Sequence, residues 1–346
     1  MENIYSQKLV IGEVSSNKVF NSSRLYCSTK DPDKDLSFSL VDYRNNYFIV
    51  DDPNKIIEFY NEFDNREQLI NWMRERPKGS SNIHEIEGES DIVVAITTAD
   101  FDGKYAIDCR ESIFKGLHII FVESGGREDF YFNYVHNCNV GIRKAMEYNP
   151  KWVVVSNDDV YKIDDISILQ AQLENIDNKN VMSVFTEPSV YHSYNIGVGK
   201  KRVILTNLAL FIYSFRHKEN LLCHRIKKRI KEDYIHELHW ISGPRNSSLR
   251  KIFLKNGYPY TMTSCFTILS STYCEKKDEV FNETYITGVE DWELSIDLSK
   301  CKQDIVTYKI GDYISMTIRR PLNRCIRDLV NQIFFNDRIK YLIQSK

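Results

Sequence analysis

The chain has 346 residues and lacks an excess of either charge. Its formal net charge of −2 argues against a dedicated nucleic-acid binder, which would be basic overall. No Cys-x-x-Cys pair occurs among the eight cysteines, Cys27, Cys109, Cys138, Cys223, Cys265, Cys274, Cys301 and Cys325. Without finger spacing, they read as reduced, partly buried thiols rather than zinc ligands. No His-x-x-x-His pattern occurs either, and His236 and His239 make a weak metal pair. Long hydrophobic runs are missing: "LALFIYSF" (Leu208 to Phe215) is too short to cross a bilayer. "MENIYSQKLV" has neither a basic start nor an apolar stretch, so no secretory signal is expected. These absences point to a cytoplasmic protein. What remains is ordinary globular composition, 42% hydrophobic and 27% charged, with 21 Tyr and 18 Phe for core filling or sugar stacking.

Residues 1–88 read as an N-terminal extension of unknown role. "KLVIGEV" and "YFIV" look strand-like. In "DDPNKIIEFYNEF", Asp52 is a good N-cap and Pro53 a good first helical residue, with Ile56, Ile57, Tyr60 and Phe63 on one face. "NREQLINWMRERP" predicts a second helix closed by Pro77, and "KGSSN" a polar linker.

From residue 91 the rhythm becomes β-α-β-α-β. "DIVVAITT" (91–98), "LHIIFVES" (117–124) and "KWVVVSND" are near-continuous apolar runs, the mark of strands covered on both faces. "GKYAIDCRESIFKG" (103–116) and "NVGIRKAMEY" (139–148) read as helices between them. The expectation is a doubly wound, mostly parallel α/β sheet over 89–302, followed by a lid and helical tail over 303–346. Ligands of such sheets bind outside the carboxyl ends of the strands. Thr97-Thr98, Glu123-Ser124 and Asn157-Asp158-Asp159 all fall at those ends.

Four ordered pieces carry a family resemblance: "VVAITTADFDG", "IIFVESGG", "NCNVGIRKAMEYNPKWVVVSNDDV" and "CFTILSSTYCEKKDEVFNETYITGVEDWELSIDLSK". Over roughly residues 91–315 the chain resembles a GT-A-fold glycosyltransferase and is most similar to glycosyltransferase family 2. The third piece resembles the family's stretch that ends in a metal-binding D-x-D element, with Asn157 in place of its first carboxylate. Glu123 stands where the family usually has Asp. Phe281-Asn282-Glu283 resembles the "F-D-E" element and Glu290-Asp291 the "E-D" element. The family's later His is missing, and "KIGDYIS" offers Asp312 there.

The resemblance implies transfer, with inversion, of a sugar from a UDP-, GDP- or dTDP-linked donor to a hydroxyl of a glycan, lipid-linked or glycoprotein acceptor. It implies Mn²⁺ or Mg²⁺ at Asp159 and Asp158, set against the plainer reading that these residues cap the following turn. Asp291 is the expected base, with Glu290 second or orienting; acids at a helix N-terminus are the alternative. Thr97, Thr98, Asp100, Glu123, Ser124, Asn139, Asn157 and Asp158 are expected around the nucleotide. Arg143 either reaches phosphate or is an exposed helix arginine, and Trp292 either meets the acceptor or plugs the core. Arg319-Arg320 suits a lid over the diphosphate or a solvated pair.

Two further readings are a non-catalytic GT-A-like scaffold and a sugar-phosphate nucleotidyltransferase. The latter lacks a Gly-rich, Lys/Arg-bearing loop after the first strand. "RHKENLLCHRIKKRIKEDY" (216–234) holds seven Lys/Arg, with Leu222, Ile226, Ile230 and Tyr234 at i+4 spacing. Such a helix suits either the anionic inner face of a membrane or packing on the domain. "CIRDLVNQIFFNDRIKYLIQ" predicts a packing or dimer helix.

Overall fold

The computed structural model describes residues 43–124, 130–186, 193–200, 226, 236–240, 258–263, 266–313 and 322–344. The pieces "KLVIGEV" and "LALFIYSF", the pair Arg319-Arg320, and the 216–234 segment apart from Ile226 lie outside the described residues. Among the described residues no helix is long and apolar enough to cross a membrane.

The chain forms an α/β structure around a seven-stranded sheet of order β1-β3-β2-β4-β10-β6-β11. These strands are β1 (Asn82–Ile86), β2 (Glu89–Thr98), β3 (Leu117–Glu123), β4 (Trp152–Asn157), β6 (Ser183–Thr186), β10 (Phe266–Ser270) and β11 (Gln303–Val306). β3, β2, β4, β6 and β11 run one way, while β1 and β10 run the other, so the sheet is mixed but mostly parallel. A two-stranded ribbon pairs β5 (Val160–Lys162) with β12 (Ile310–Asp312). A separate sheet has the order β8 (His236–Trp240), β7 (Ser193–Lys200), β9 (Tyr258–Thr263).

Both faces of the sheet are covered, which is why its strands read as unbroken apolar runs. Val93, Ile120, Val122, Val153, Val155 and Leu269 point into one core; Val94, Ile96, Ile119, Phe121, Val154 and Ile268 point into the other. The first core is closed by α1 (Pro53–Asn61), α2 (Arg66–Glu75), α4 (Tyr134–Met146), α7 (Glu290–Leu298) and α9 (Leu329–Gln344). The second is closed by α3 (Lys104–Asp108), a π-helical turn over Cys109–Ile113, and α5 (Ile166–Leu173). Helix α6 (Ser271–Glu275) follows β10, and α8 (Leu322–Arg327) precedes α9.

Local chemistry explains the element ends. Asp52 caps α1 by accepting from the Asn54 N–H, and Pro53 starts the helix as its locked φ favours. Asn65 caps α2 and Asn133 caps α4 in the same way. Gly141 lets α4 lie close on the sheet. A Cβ there would meet Ala95 Cβ at 3.0 Å and Val122 Cγ2 at 3.2 Å.

Three sequence expectations are corrected. Residues 43–49, which include most of "YFIV", are helical. Phe48 is buried against Phe59 and Trp72, at 5.2 and 5.4 Å between ring centroids, while Tyr47, Ile49 and Val50 are only partly buried against the same core, so one helix face suffices. The helix expected at 139–148 begins at Tyr134, because the Asn133 cap lies upstream of the apolar repeat. The single helix expected at 103–116 is two short pieces, α3 and the π-helical turn.

β1 lies before residue 88 yet pairs along its length with β3. The tail packs rather than hangs free: Leu329, Val330, Ile333, Phe334 and Ile339 are buried. Tyr60 on α1 donates its hydroxyl to the Ile326 carbonyl at 2.6 Å, tying the first described helices to the last.

Candidate functional site

The parallel block β3-β2-β4 sets three strand ends side by side. In register, Thr98 lies opposite Glu123 and Thr97 opposite Asn157. The backbone then bends through Asp158-Asp159 before β5. Thr98, buried, donates its hydroxyl to Asp158 Oδ2 at 2.8 Å. The Tyr134 hydroxyl at the start of α4 donates to Asn157 Oδ1 at 2.6 Å. Asp158 is thus aimed by a neighbouring strand, and Asn157 by a helix on one face.

Strand β12 completes this end. Asp312 lies opposite Val160, and the Tyr313 N–H donates to the Asp159 carbonyl at 3.1 Å. Asp312 is therefore carried to the Asp158-Asp159 bend by backbone register. Tyr313 brings two aromatic neighbours, with Tyr161 at 4.9 Å and Tyr105 at 5.6 Å between ring centroids. Burial pushes the Tyr105 hydroxyl up, and the nearby Asp159 charge adds to it. Tyr105, Tyr134, Tyr161 and Tyr313 escaped the sequence reading. Tyrosines are frequent here, and nothing in their spacing sets these four apart.

Glu123 and Asp100 are partly committed to structure. Glu123 accepts from the Phe101 N–H and from His84 Nε2, each at 2.9 Å, and these contacts hold its carboxyl below the usual range against the push of burial. The His84 ring stacks on Phe101 at 4.2 Å. Asp100 accepts from the Asp102 N–H at 3.1 Å and shapes its own turn. The Ser124 N–H donates to the Thr98 carbonyl, and Ser124 is buried at the same strand ends.

Asn139 and Arg143 are not brought to this crevice. Asn139 is buried and spends its amide on Phe281, accepting from the N–H at 3.0 Å and donating to the carbonyl at 2.7 Å. Arg143 lies nine residues beyond Tyr134, roughly 13 Å along the helix axis at 1.5 Å per residue, toward the far end of the sheet. Its guanidinium is half exposed and faces Glu283 at 3.6 Å. Glu283 also meets His136 at 2.8 Å and Asn139 at 3.1 Å. Burial pushes Glu283 up, but these partners outweigh it and hold the carboxyl at about 2. Phe281-Asn282-Glu283 therefore fastens its loop to α4.

Glu290 and Asp291 open α7. The turn before them is left-handed at Gly288 (φ 85°) and at Val289 (φ 77°). A β-branched residue rarely adopts that conformation, at a cost of about 1–3 kcal/mol, and such strain gathers where a site is shaped. Asn331 on α9 holds the turn. It accepts from the Ile286 N–H at 3.0 Å and donates to the Thr287 carbonyl. The Tyr134 N–H donates to the Ile286 carbonyl at 2.9 Å, so the same loop touches the helix that reaches Asn157. Asn331 is fully buried. Asn331→Ala strands two buried backbone groups and should cost about 2–4 kcal/mol in urea unfolding. A loss under about 1 kcal/mol would mean that water replaces the amide.

Glu290 is only 7% exposed, and its Oε2 has no hydrogen-bond partner. Burial, with the Asp291 charge second, pushes its carboxyl up to about 8. Burial thus favours its protonated form, which can donate a hydrogen bond. Trp292 packs edge-on against Phe335 at 5.6 Å, on the core side of the two alternatives.

Cys109, Cys138 and Cys274 are buried free thiols and Cys301 is a partly exposed one. Among the described residues, no three or more His, Cys, Asp or Glu side chains gather where they could hold a metal ion. No family model matches the chain, and no curated protein matches it.

Proposed function

We propose that the protein is a GT-A-like inverting glycosyltransferase that moves a sugar from a nucleotide-diphosphate donor to a hydroxyl acceptor. The observation that carries this reading is the strand-end cluster. Asp158 is oriented by Thr98, Asp159 is next to it, and Asp312 is delivered by register on a strand from the far end of the chain.

Asp312 shares the bend by backbone register only, and no three ligating side chains converge there among the described residues, so Asp158 and Asp159 do not make a closed metal cage. They fit Mg²⁺ or Mn²⁺ drawing further ligands from substrate phosphate and water. When bound, such a cation neutralises charge on the departing diphosphate. The Thr98 hydroxyl keeps the Asp158 carboxylate turned toward the crevice. Glu123, Thr97 and Asp100 line the side where base and ribose would rest. The Tyr105-Tyr161-Tyr313 group offers an aromatic wall next to Asp159 for a sugar or base ring. Asp291 takes the acceptor's proton, and the protonated neighbour Glu290 orients rather than accepts.

A second reading, a nucleotide-binding scaffold without transfer, is favoured by Asn157 in the first acidic position, where its amide oxygen is already bonded to Tyr134. A thermal-shift screen with UDP, GDP, dTDP and CMP, each with and without Mn²⁺ or Mg²⁺, tests both. A ligand at a hundredfold excess over its Kd stabilises by about 2.7 kcal/mol. We expect one nucleotide to raise Tm further with metal than without, and Asp159→Ala to abolish that metal-dependent rise. A flat screen would overturn the donor site. A shift with no donor turnover on any acceptor would favour the scaffold.

A further inference from the structure

A groove of about 390 Å³ opens at the other end of the sheet, lined by Lys179, Lys276, Lys277, Lys300 and Lys302 around a single carboxylate, Asp297. It borders Met182 and Lys302, the residues just before β6 and β11. Both strands run parallel with β4, so their starts lie opposite the end that carries Asp158-Asp159. The groove is therefore separate from the candidate donor site. We propose that it binds a multiply charged phosphate group, as found in a free diphosphate or a phosphomonoester headgroup.

Charge arithmetic carries the proposal. Five ammonium groups face one carboxylate, in a protein whose net charge is −2. Asp297 is already engaged, by Lys277 at 2.7 Å, the Tyr273 hydroxyl at 2.9 Å and Lys300 at 3.8 Å. Neighbouring Asp177, outside the lining, accepts from the Asn180 amide at 2.5 Å and the Lys179 N–H at 3.0 Å; it stays ionised and partly offsets Lys302, which still leaves the lysines in excess. Among the described residues Lys179, Lys276 and Lys302 form no ion pair. Ammonium groups gathered around one groove favour a multiply charged anion among them.

Helix dipoles explain only part of the cluster. Lys276 caps α6, Lys277 follows it, and Lys300 follows the cap of α7, where cations are favoured. Lys179 and Lys302 come from loops before β6 and β11 and gain nothing from either dipole. Their walls are pinned together: the Met182 N–H donates to the Lys302 carbonyl at 2.8 Å, and the Ser270 N–H donates to the Met182 carbonyl at 3.0 Å. The size suits a small ligand of the diphosphate class. Lysine is a point-charge donor that binds phosphate without requiring a planar partner.

Titration calorimetry of the full chain with inorganic pyrophosphate, without divalent cations, tests the site. Without a cation the Asp158-Asp159 end repels pyrophosphate. Saturable binding is expected, weakened at least about tenfold in the double variant Lys276→Gln, Lys302→Gln and unchanged in Asp159→Ala. Equal binding by the double variant and the parent would overturn the proposal, as would equal binding of sulfate at matched ionic strength. Loss in Asp159→Ala alone would move the ligand to the donor site and also overturn it. The exchanged lysines are exposed, and an unchanged Tm confirms that the variant is folded. Flotation with phosphatidylcholine vesicles, with and without phosphatidic acid, separates the sources. Flotation only with phosphatidic acid, lost in the double variant, identifies a lipid headgroup; pyrophosphate binding without flotation identifies a free phosphate ligand. Neither binding nor flotation by the parent would overturn the site.

Discussion

Asp291→Asn should slow sugar transfer by about 10²–10⁴-fold while nucleotide affinity stays unchanged. The amide keeps the shape of the side chain and removes its capacity to take a proton. The two measurements separate because Asp291 sits at the start of α7, across the Ile286–Val289 turn from the strand ends. Its contribution is to the acceptor hydroxyl, and the nucleotide would meet β2, β3 and β4. Nucleotide affinity by calorimetry and transfer by product release check the two halves. Equal loss of both would show that Asp291 holds the donor or the local fold, and would end its assignment as base. Full activity in the variant would return the role to another group.

Glu290 should make the folded protein less stable as pH rises from 4.5 toward about 8. The sign follows from proton counting. In that window the folded state keeps the proton on Glu290 and the unfolded chain has lost it, so the unfolded state binds fewer protons. Stability therefore falls with pH, by about 1.4 kcal/mol per unit for one such group. Glu290→Gln mimics the protonated acid and removes this term. The variant should match the parent near pH 4.5 and exceed it at pH 8 by several kcal/mol. Urea unfolding at both values measures it. If the stability gap does not widen with pH, Glu290 is ionised in the fold and the buried-acid reading fails. Glu283 works in the opposite direction and in another window. Its depressed carboxyl contributes stability fully above 4.5, and this is lost as pH falls toward about 2. The two effects can be read separately.

Much of this was legible in the chain itself. The apolar runs at 91–98, 117–124 and 152–157 are strands buried on both faces, and that double burial is why they show no polar alternation. Asp52-Pro53 starts a helix because a cap and a locked φ act locally. The parallel neighbours of β2 put Thr97-Thr98, Glu123 and Asn157 side by side, because β-α-β crossovers return each strand in the same direction.

Other features depend on contacts between residues far apart in the chain. "YFIV" (47–50) looks strand-like by itself, and packing of Phe48 on Phe59 and Trp72 accompanies a helix over 43–49 instead. Residues 83–86 carry no strand expectation in the sequence, yet β1 finds the open edge of β3 and places the His84 ring on Glu123. Asn139 read as a nucleotide contact, but a long-range loop claims its amide. The chain alone determined a buried α/β sheet with polar strand ends, because periodicity, caps and hydrophobic runs are local. Tertiary structure decided that β10 slots antiparallel beside β4, that β12 carries Asp312 to Asp159, and that five lysines share one groove. Those outcomes come from pairing segments far apart in sequence, and no local pattern encodes that choice.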